Sequence, residues 1–210
     1  MTVLDRYRVH GLSHNPFAFD VADPHEVFVP RGLAELPPRG SQVVVQLIGD
    51  RGAGKTTQLH AWRRDDPGPY VYVPPGPLGK RWQRPPVADL LYVDEVDRLP
   101  SLVRWNWFRQ LAKAEATAVV GTHRDVSAAA RRCGLAVITE RLGAVDITTL
   151  RRVVDARLRV AGAGFAGAGP AGVFSISDDE LREVHARSNG SLRVAERFLH
   201  ELTAAKVSTC

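Results

Sequence analysis

The sequence is poor in cysteine and contains no long hydrophobic run. Its 210 residues include two cysteines, Cys133 and Cys210, whose separation fits neither a disulfide framework nor a metal-ligand pattern. No apolar stretch approaches the roughly 20 residues that a membrane-spanning helix needs, and the segment Met1–Arg6 lacks the apolar core of a signal peptide. We therefore expect a cytoplasmic protein without a membrane span. The length suits one domain, or one domain with a small appendage.

Lysine is also scarce, although the chain is basic overall. Of its 28 Lys and Arg residues only 4 are lysine, and the formal net charge is +5. This positive balance permits contact with nucleic acid. The arginines are scattered, without the run of about five or six like charges that marks a basic tail. Arginine-rich composition also follows from a GC-rich coding sequence, so a binding surface and a compositional bias both stay open.

The most informative segment of the chain runs from Gly49 to Thr56. It reads Gly-x-x-x-x-Gly-Lys-Thr, which is the spacing of a phosphate-binding loop. We expect Gly49, Gly52 and Gly54 to supply positive φ angles, so that backbone N–H groups turn toward phosphate oxygens. Lys55 would reach the β- and γ-phosphates, and the Thr56 hydroxyl would ligate Mg²⁺.

The residues around this loop fit the same assignment. Residues 42–48 are mostly apolar and rich in β-branched side chains, as in a buried strand, and residues 56–62 can form a helix. Strand, loop and helix thus follow in the required order, and the helix directs its positive end at the anion. The sequence predicts that the chain binds a nucleoside triphosphate, taken as ATP, with Mg²⁺. The predicted nucleotide-binding residues are Gly49, Asp50, Arg51, Gly52, Ala53, Gly54, Lys55, Thr56 and Thr57.

A second acidic element follows a further apolar strand, residues 90–93. This strand ends in Asp94 and Glu95, and the carboxyl ends of strands are where open α/β sheets bind ligands. Hydrolysis of a nucleotide needs a carboxylate near Mg²⁺ and a group that orients water. We expect Asp94 to belong to the Mg²⁺ shell with Thr56, and Glu95 to polarise the attacking water.

Thr122 stands at the tip of another predicted strand, residues 117–120. Its hydroxyl could bind the water or the γ-phosphate, or it could satisfy backbone groups at the strand end. The neighbouring His123 is expected to be structural. In the predicted helix 101–115, Leu102, Trp105, Phe108 and Ala112 share a face at helical spacing, which is typical of a core face. Trp107 falls on a second face, so this helix is either deeply buried or half-buried with a protein contact.

The order of elements predicts an α/β fold, in which a parallel sheet flanked by helices precedes a small all-α lid. An amphipathic helix begins near residue 148, and Ser177–Glu180 has the pattern of a capping box. Ser188–Gly190 would end that second helix, and a last helix runs over residues 191–205. We divide the chain into an N-terminal arm (1–40), a P-loop core (41–147) and a helical lid (148–210).

Several of these segments together resemble the AAA+ ATPases. Among them the chain is most similar to the ExeA and TniB type, near the origin-recognition ATPases. Two segments match patterns frequent in that type, a Gly-Leu-x-x-Asn-Pro-Phe start and an Arg-Leu-x-x-Ala-Gly helix end. The matching segments are Gly11–Phe17, Gly49–Thr56, Asp94-Glu95, Thr122, Glu140-Arg141, Arg157–Gly162 and Ser188–Arg193.

The resemblance implies two further catalytic roles besides those of Glu95 and Thr122. Arg193 would sense the γ-phosphate from the lid, although it could equally be a surface residue of an amphipathic helix. Arg141 would reach the nucleotide of a neighbouring subunit, which implies a homo-oligomer assembled on ATP. Arg131 and Arg132 are close in sequence and leave that assignment open.

One region departs from the family pattern. The Pro-rich stretch 74–86 leaves no room for the helix that usually precedes the Asp-Glu strand. It carries Lys80, Arg81, Trp82 and Arg84, which could contact a partner or nucleic acid, or could form a surface loop with its Trp packed on the sheet.

The sequence as a whole predicts an AAA+ regulator that binds and hydrolyses ATP and acts on a partner protein or on DNA, as in transposition or DNA maintenance. A nucleotide-gated switch or adaptor with negligible hydrolysis is one alternative. A secretion accessory ATPase is another, and a small-molecule or nucleotide kinase is a third. The third is disfavoured because kinases rarely combine the Asp-Glu pair with a three-helix lid.

Overall fold

A five-stranded parallel sheet forms the centre of the unit that spans residues 32–143. The computed structural model describes residues 3–18, 27–76, 84–162 and 174–208. The strands run in the order β2-β3-β4-β1-β5, and each neighbouring pair is parallel. All five carboxyl ends therefore lie at one edge of the sheet. The strands are β1 (Val43–Gly49), β2 (Tyr70–Tyr72), β3 (Leu90–Asp94), β4 (Thr117–Thr122) and β5 (Ala136–Leu142).

Helices flank the sheet and make up the C-terminal region, so the predicted fold class is confirmed. They are α1 (Val3–Val9), α2 (Lys55–Asp65), α3 (Ser101–Lys113), α4 (Ser127–Arg131), α5 (Ile147–Gly162), α6 (Asp178–Ser188) and α7 (Leu192–Ser208). A 3₁₀ turn covers Val96–Arg98. Among the described helices, none combines the length and the apolar character that crossing a membrane requires.

Side chains alternate between the two faces of the sheet, because successive residues of a strand point to opposite sides. Val45 of β1 packs in one buried cluster with Leu59 of α2. Its neighbour Val44 packs in the opposite cluster with Phe108 of α3 and Ala130 of α4. Both faces of β1 are thus covered, which explains why its sequence is apolar without interruption except at Gln46.

Gln46 is a fully buried polar residue, and both the nitrogen and the oxygen of its side-chain amide are hydrogen-bonded. Its Nε2 donates to Asp125 Oδ1 at 2.9 Å and to Thr139 Oγ1 at 2.8 Å, and its Oε1 accepts from Val126 N at 2.9 Å. Hydrogen bonds from Ser127 and Gln46 lower the pKa of Asp125 to about 2. This network ties β1 and β5 to the start of α4.

Residues 1–31 and 144–210 form a second compact unit, separate from residues 32–143. Its helix boundaries follow the sequence signals. The predicted capping box is present, since Ser177 Oγ accepts from Glu180 N and the Glu180 carboxylate accepts from Ser177 N. Asn189 ends α6 in a left-handed conformation with φ 48°.

The N-terminal segment packs into this helical unit through the two short motifs noted in the sequence. Phe17 is buried in its apolar cluster, and Asn15 Nδ2 donates to His200 O at 3.1 Å. Arg157 Nη1 donates to Pro16 O at 3.2 Å, and Arg157 Nη2 donates to Glu196 Oε1 at 2.5 Å. Ser13 N donates to Ala161 O at 2.9 Å. The Asn-Pro-Phe segment and the Arg-Leu-x-x-Ala-Gly segment therefore contact each other.

Some local expectations differ from the structure. The core face expected at Leu102 and Trp105 is wrong, because these side chains are 73% and 41% exposed, whereas Trp107 and Phe108 are buried. The two compact units of the chain meet at residues 31/32 and 143/144, and the division at 40/41 and 147/148 stays a prediction. The expectations for Lys80, Arg81, Trp82 and Cys210 lie outside the described residues.

Candidate functional site

The segment between β1 and α2 has the backbone geometry of a phosphate-binding turn. Gly54 precedes α2 with φ 90°, and Gly52 has φ 81°, angles that side-chain-bearing residues rarely adopt. Gly49 differs from this expectation, because it lies in β1 without a positive φ. A Cβ there would stand 2.8 Å from Leu142 O. Gly49 is thus needed for space, and the other two glycines for conformation.

Lys55 turns its amine back into this loop. Its side chain is almost fully buried, and its Nζ donates to Gly49 O at 2.8 Å and to Asp50 O at 3.1 Å. Burial lowers the pKa of the Lys55 amine, while the carboxylates of Glu95 and Asp94 act in the opposite direction. A cation held among loop carbonyls beside the turn is positioned to meet an anion there.

Asp94, the last residue of β3, is fully buried and accepts a hydrogen bond at each carboxylate oxygen. Thr56 Oγ1 donates to Asp94 Oδ2 at 2.6 Å, and the Tyr70 hydroxyl lies 3.4 Å from the same oxygen. Glu95 N donates to Asp94 Oδ1 at 3.0 Å. Burial, and then the charge of Asp94, raise the pKa of Tyr70, so the hydroxyl stays a donor.

The pair of Thr56 and Asp94 fits the donor chemistry that Mg²⁺ prefers. A hydroxyl oxygen and a carboxylate oxygen are hard ligands, and Mg²⁺ usually takes one or two protein groups together with phosphates and water. Here these two oxygens already lie within hydrogen-bonding distance of each other at the start of α2.

Glu95 has an unusual backbone conformation and a closely held carboxylate. Its φ is 62° and its ψ is 39°, a left-handed geometry that costs a non-glycine residue roughly 1–2 kcal/mol. Glu95 Oε2 lies 3.2 Å from Arg98 Nη2 and 3.1 Å from His123 Nε2. The carboxylate is only 11% exposed. Strain of this kind clusters at functional sites.

The structure places His123, rather than Thr122, against the charged groups of the site. The Thr122 hydroxyl donates to Arg124 O at 2.7 Å and accepts from Arg124 N at 3.2 Å. This is the backbone-satisfying arrangement left open above, and a contact with water or γ-phosphate stays a prediction. The His123 ring lies 3.4 Å from Lys55 Nζ and 3.2 Å from Glu95 Oε1, so it bridges the two groups.

The two remaining predicted arginines are both exposed. Arg141 pairs in register with Ile48 near the carboxyl end of β5, at the sheet edge next to β1. Arg193 is the second residue of α7 and belongs to the helical unit. The structure therefore brings together Lys55, Thr56, Asp94 and Glu95. The roles of Arg141 and Arg193 stay predictions.

The other predicted nucleotide-binding residues differ in how exposed they are. Asp50 and Arg51 are exposed at the turn, Ala53 is buried, and Thr57 is partly buried in the first turn of α2. Ala53 packs with Leu47 and Leu142, which anchors the turn to the sheet.

Sequence reasoning missed two residues that contact this site, Tyr70 and Arg98, and assigned a structural role to a third, His123. The signal for Arg98 is its position three residues after Glu95, since side chains at i and i+3 are neighbours in a helical turn. The signal for His123 is its place directly after Thr122 at a strand tip. Tyr70 gives no local signal, because it reaches Asp94 only through the pairing of β2 with β3.

Comparison with known proteins establishes the fold. No protein-family model and no curated protein sequence match the chain. A mutant of RuvB from Thermotoga maritima matches with TM-score 0.53 and 20% identity over 75% of this chain and 53% of that chain. RuvB of the same organism, described as a Holliday junction branch migration motor, matches with TM-score 0.50 and 21% identity over the same shares.

A further solved structure, described as a DNA replication initiation factor, has TM-score 0.51 and 14% identity. That match covers 81% of this chain and 59% of the other chain. The chain thus spans little more than half the length of these proteins. Identities this low speak for the fold alone.

Gly121 provides a structural test of the packing around Asp94. A Cβ at Gly121 would overlap Asp94 Oδ1 and stand 3.2 Å from Leu59 Cδ1. We expect Gly121→Ala to lower the free energy of unfolding by about 1–3 kcal/mol, the usual cost of overpacking, as measured by urea denaturation. Gly143→Ala is the matched control, because a Cβ there meets nothing within 4 Å. Equal stability of the two variants would contradict the close packing at Asp94.

The strand order β2-β3-β4-β1-β5, the glycine turn before α2 and the structural matches all indicate one fold. The chain has the fold of the P-loop AAA+ ATPases.

Proposed function

We propose that this chain binds ATP with Mg²⁺ and hydrolyses the nucleotide. The observation that supports this most strongly is the 2.6 Å hydrogen bond between Thr56 Oγ1 and Asp94 Oδ2, directly behind a complete Gly-x-x-x-x-Gly-Lys-Thr loop. A hydroxyl and a buried carboxylate brought together behind such a loop are what nucleotide-bound Mg²⁺ requires of its protein. The ATPase fold agrees with this proposal.

The residues of the chain have separate tasks in this mechanism. Backbone N–H groups of residues 50–55 and the Lys55 amine hold the phosphates, so Lys55 exchanges its carbonyl partners for phosphate oxygens. Thr56 and Asp94 would hold Mg²⁺, and the ion would supply positive charge beside the phosphates. Glu95 orients the attacking water and accepts its proton at a carboxylate oxygen. For this step the Glu95 carboxylate has to leave Arg98 or His123, which hold it now.

Arg193 and Arg141 extend the proposal to the lid and to a second copy. Arg193, exposed at the start of α7, would contact the γ-phosphate of the chain's own nucleotide. Arg141, exposed on edge strand β5, would stabilise the transition state in a neighbouring subunit. The chain would then assemble as a homo-oligomer on ATP.

The role of Arg141 has a specific kinetic test. Specific ATPase activity should rise with protein concentration, and Arg141→Ala should bind ATP normally but hydrolyse it about 10³-fold more slowly. Mixing Arg141→Ala with Glu95→Gln should restore part of the turnover, because some interfaces then carry both intact groups. Arg132→Ala tests the alternative that the sequence leaves open, because a comparable loss there, with normal turnover in Arg141→Ala, would assign the role to Arg132. Concentration-independent activity of a monomer would rule out this role.

For the biological process we propose a general class of role. Two of the matching structures are described as a Holliday junction branch migration motor and a DNA replication initiation factor. These descriptions, with the net charge of +5, support an AAA+ regulator that acts on DNA or on a DNA-bound protein. The resemblance to the TniB type favours transposition or DNA maintenance over a secretion accessory.

A nucleotide-gated switch without appreciable hydrolysis is the second candidate. The observation that favours it is the Glu95 carboxylate, which lies within 3.2 Å of both Arg98 and His123. A base that stays paired in this way when ATP binds cannot accept a proton from water. The chain would then signal its nucleotide state through the helical unit.

Two substitutions separate binding from hydrolysis. Lys55→Ala should raise the dissociation constant for Mg²⁺-ATP at least about tenfold, because it removes a charge-assisted bond to phosphate. Glu95→Gln should bind ATP like the wild type and lose about 10²–10⁴-fold in turnover, because the amide is not a base. Calorimetry and phosphate release measure the two quantities.

Lys113→Ala and Glu201→Gln are matched controls, since both residues are exposed and both should leave these values unchanged. Equal turnover in wild type and Glu95→Gln would contradict the catalytic assignment. Tight ATP binding by the wild type without turnover would favour the switch.

A further inference from the structure

Two neighbouring helical segments of the chain carry positive charge and no negative charge. Residues 101–113 contain three cations, residues 127–134 contain two, and neither segment contains an Asp or Glu. The cations are Arg104, Arg109, Lys113, Arg131 and Arg132.

Helix α3 also exposes two large apolar side chains. Leu102 is 73% exposed and Trp105 is 41% exposed, and they lie three residues apart on α3. The inner side of α3 is already occupied, because Trp107, Phe108 and Leu111 are packed in the core. Leu102 and Trp105 therefore lie outside the side of α3 that packs in this core cluster.

These charges and apolar groups form one surface. Helices α3 and α4 pack on the same buried cluster, and Cys133 Sγ lies 3.7 Å from Trp105 O, so the end of α4 meets the middle of α3. The guanidinium of Arg109 lies 4.8 Å from the centre of the Trp105 ring. Leu102, Trp105, Arg109, Arg131 and Arg132 make up what we call the α3–α4 face.

The cations of the α3–α4 face are more exposed to a partner than Arg104 is. Arg104 is partly buried, and its Nη1 donates to the backbone carbonyls of Asp97 and Leu99 at 3.2 and 3.3 Å. Arg109, Arg131 and Arg132 are exposed. The available surface is thus an apolar pair rimmed by arginines.

We infer that the α3–α4 face is a docking surface for an acidic segment of a partner protein that carries bulky apolar residues. The exposed arginines complement carboxylates, and Leu102 with Trp105 offers an apolar centre for a partner side chain. An aliphatic Leu has no use as a stacking platform for a base. One side of the Trp105 ring is already covered by Arg109, so a nucleic acid fits this surface less well.

The test uses a fluorescein-labelled helical peptide with Leu at i, i+3 and i+7 and Glu elsewhere on its surface, which is the pattern of a helix that docks in a groove. Wild-type protein should bind it, with an affinity that falls as salt is added. Trp105→Ala, and separately Arg131→Glu with Arg132→Glu, should each weaken binding about tenfold or more. A peptide with Ser in place of Leu should also bind at least tenfold more weakly.

Two exposed residues outside the α3–α4 face provide matched controls. Val194→Ala, an exposed apolar residue of α7, and Arg8→Glu, an exposed cation of α1, should leave peptide binding unchanged. ATP affinity and thermal unfolding should stay unchanged in all these variants, which separates a loss of docking from a failure of the nucleotide site or of folding.

Three results would overturn the inference. The first is an absence of peptide binding by the wild type, or equal binding by Trp105→Ala. The second is binding of single-stranded or duplex DNA through these same residues in place of the peptide. The third is a change of oligomeric state in Trp105→Ala by analytical ultracentrifugation, which would make the surface a contact between copies.

Discussion

The arrangement of the candidate site depends on the burial of one carboxylate, Asp94. A charged group removed from water is costly unless its oxygens find donors. Here Thr56 and Tyr70 face one oxygen and Glu95 N binds the other. These partners come from α2, β2 and the end of β3, so a single side chain holds three elements in register. Gly121 on β4 leaves the space that the carboxylate occupies.

This constraint also positions the groups that would perform chemistry. The bond from Glu95 N to Asp94 Oδ1 accompanies the left-handed backbone of Glu95, which turns its carboxylate toward His123 and Arg98. His123 in turn lies beside Lys55. Glu95, Lys55 and the pair of Thr56 and Asp94, to which we assign these roles, are therefore coupled through direct contacts. A nucleotide that draws Lys55 toward phosphate would then also change the surroundings of Glu95.

The sequence predicts local features well and long-range contacts poorly. The phosphate loop, the capping box at Ser177 and the strand ending in Asp94 depend on residues close in sequence, and the structure has the loop geometry, the cap and the strand there. The role of Tyr70 depends on strand pairing and is invisible locally. The prediction for the faces of α3 is wrong because this helix carries apolar residues on more than one side. Only the packing decides that Trp107 is buried and Trp105 exposed.

The central claim is that residues 50–57 bind the phosphates of Mg²⁺-ATP through their backbone. Amide hydrogen exchange on the full chain, with and without Mg²⁺-ATPγS, measures this directly. Exchange should slow in peptides that cover residues 50–57, because their N–H groups become donors to phosphate, and Lys55→Ala should lose this protection. Nucleotide-dependent protection confined to other segments, or no change at all in residues 50–57, would contradict the account.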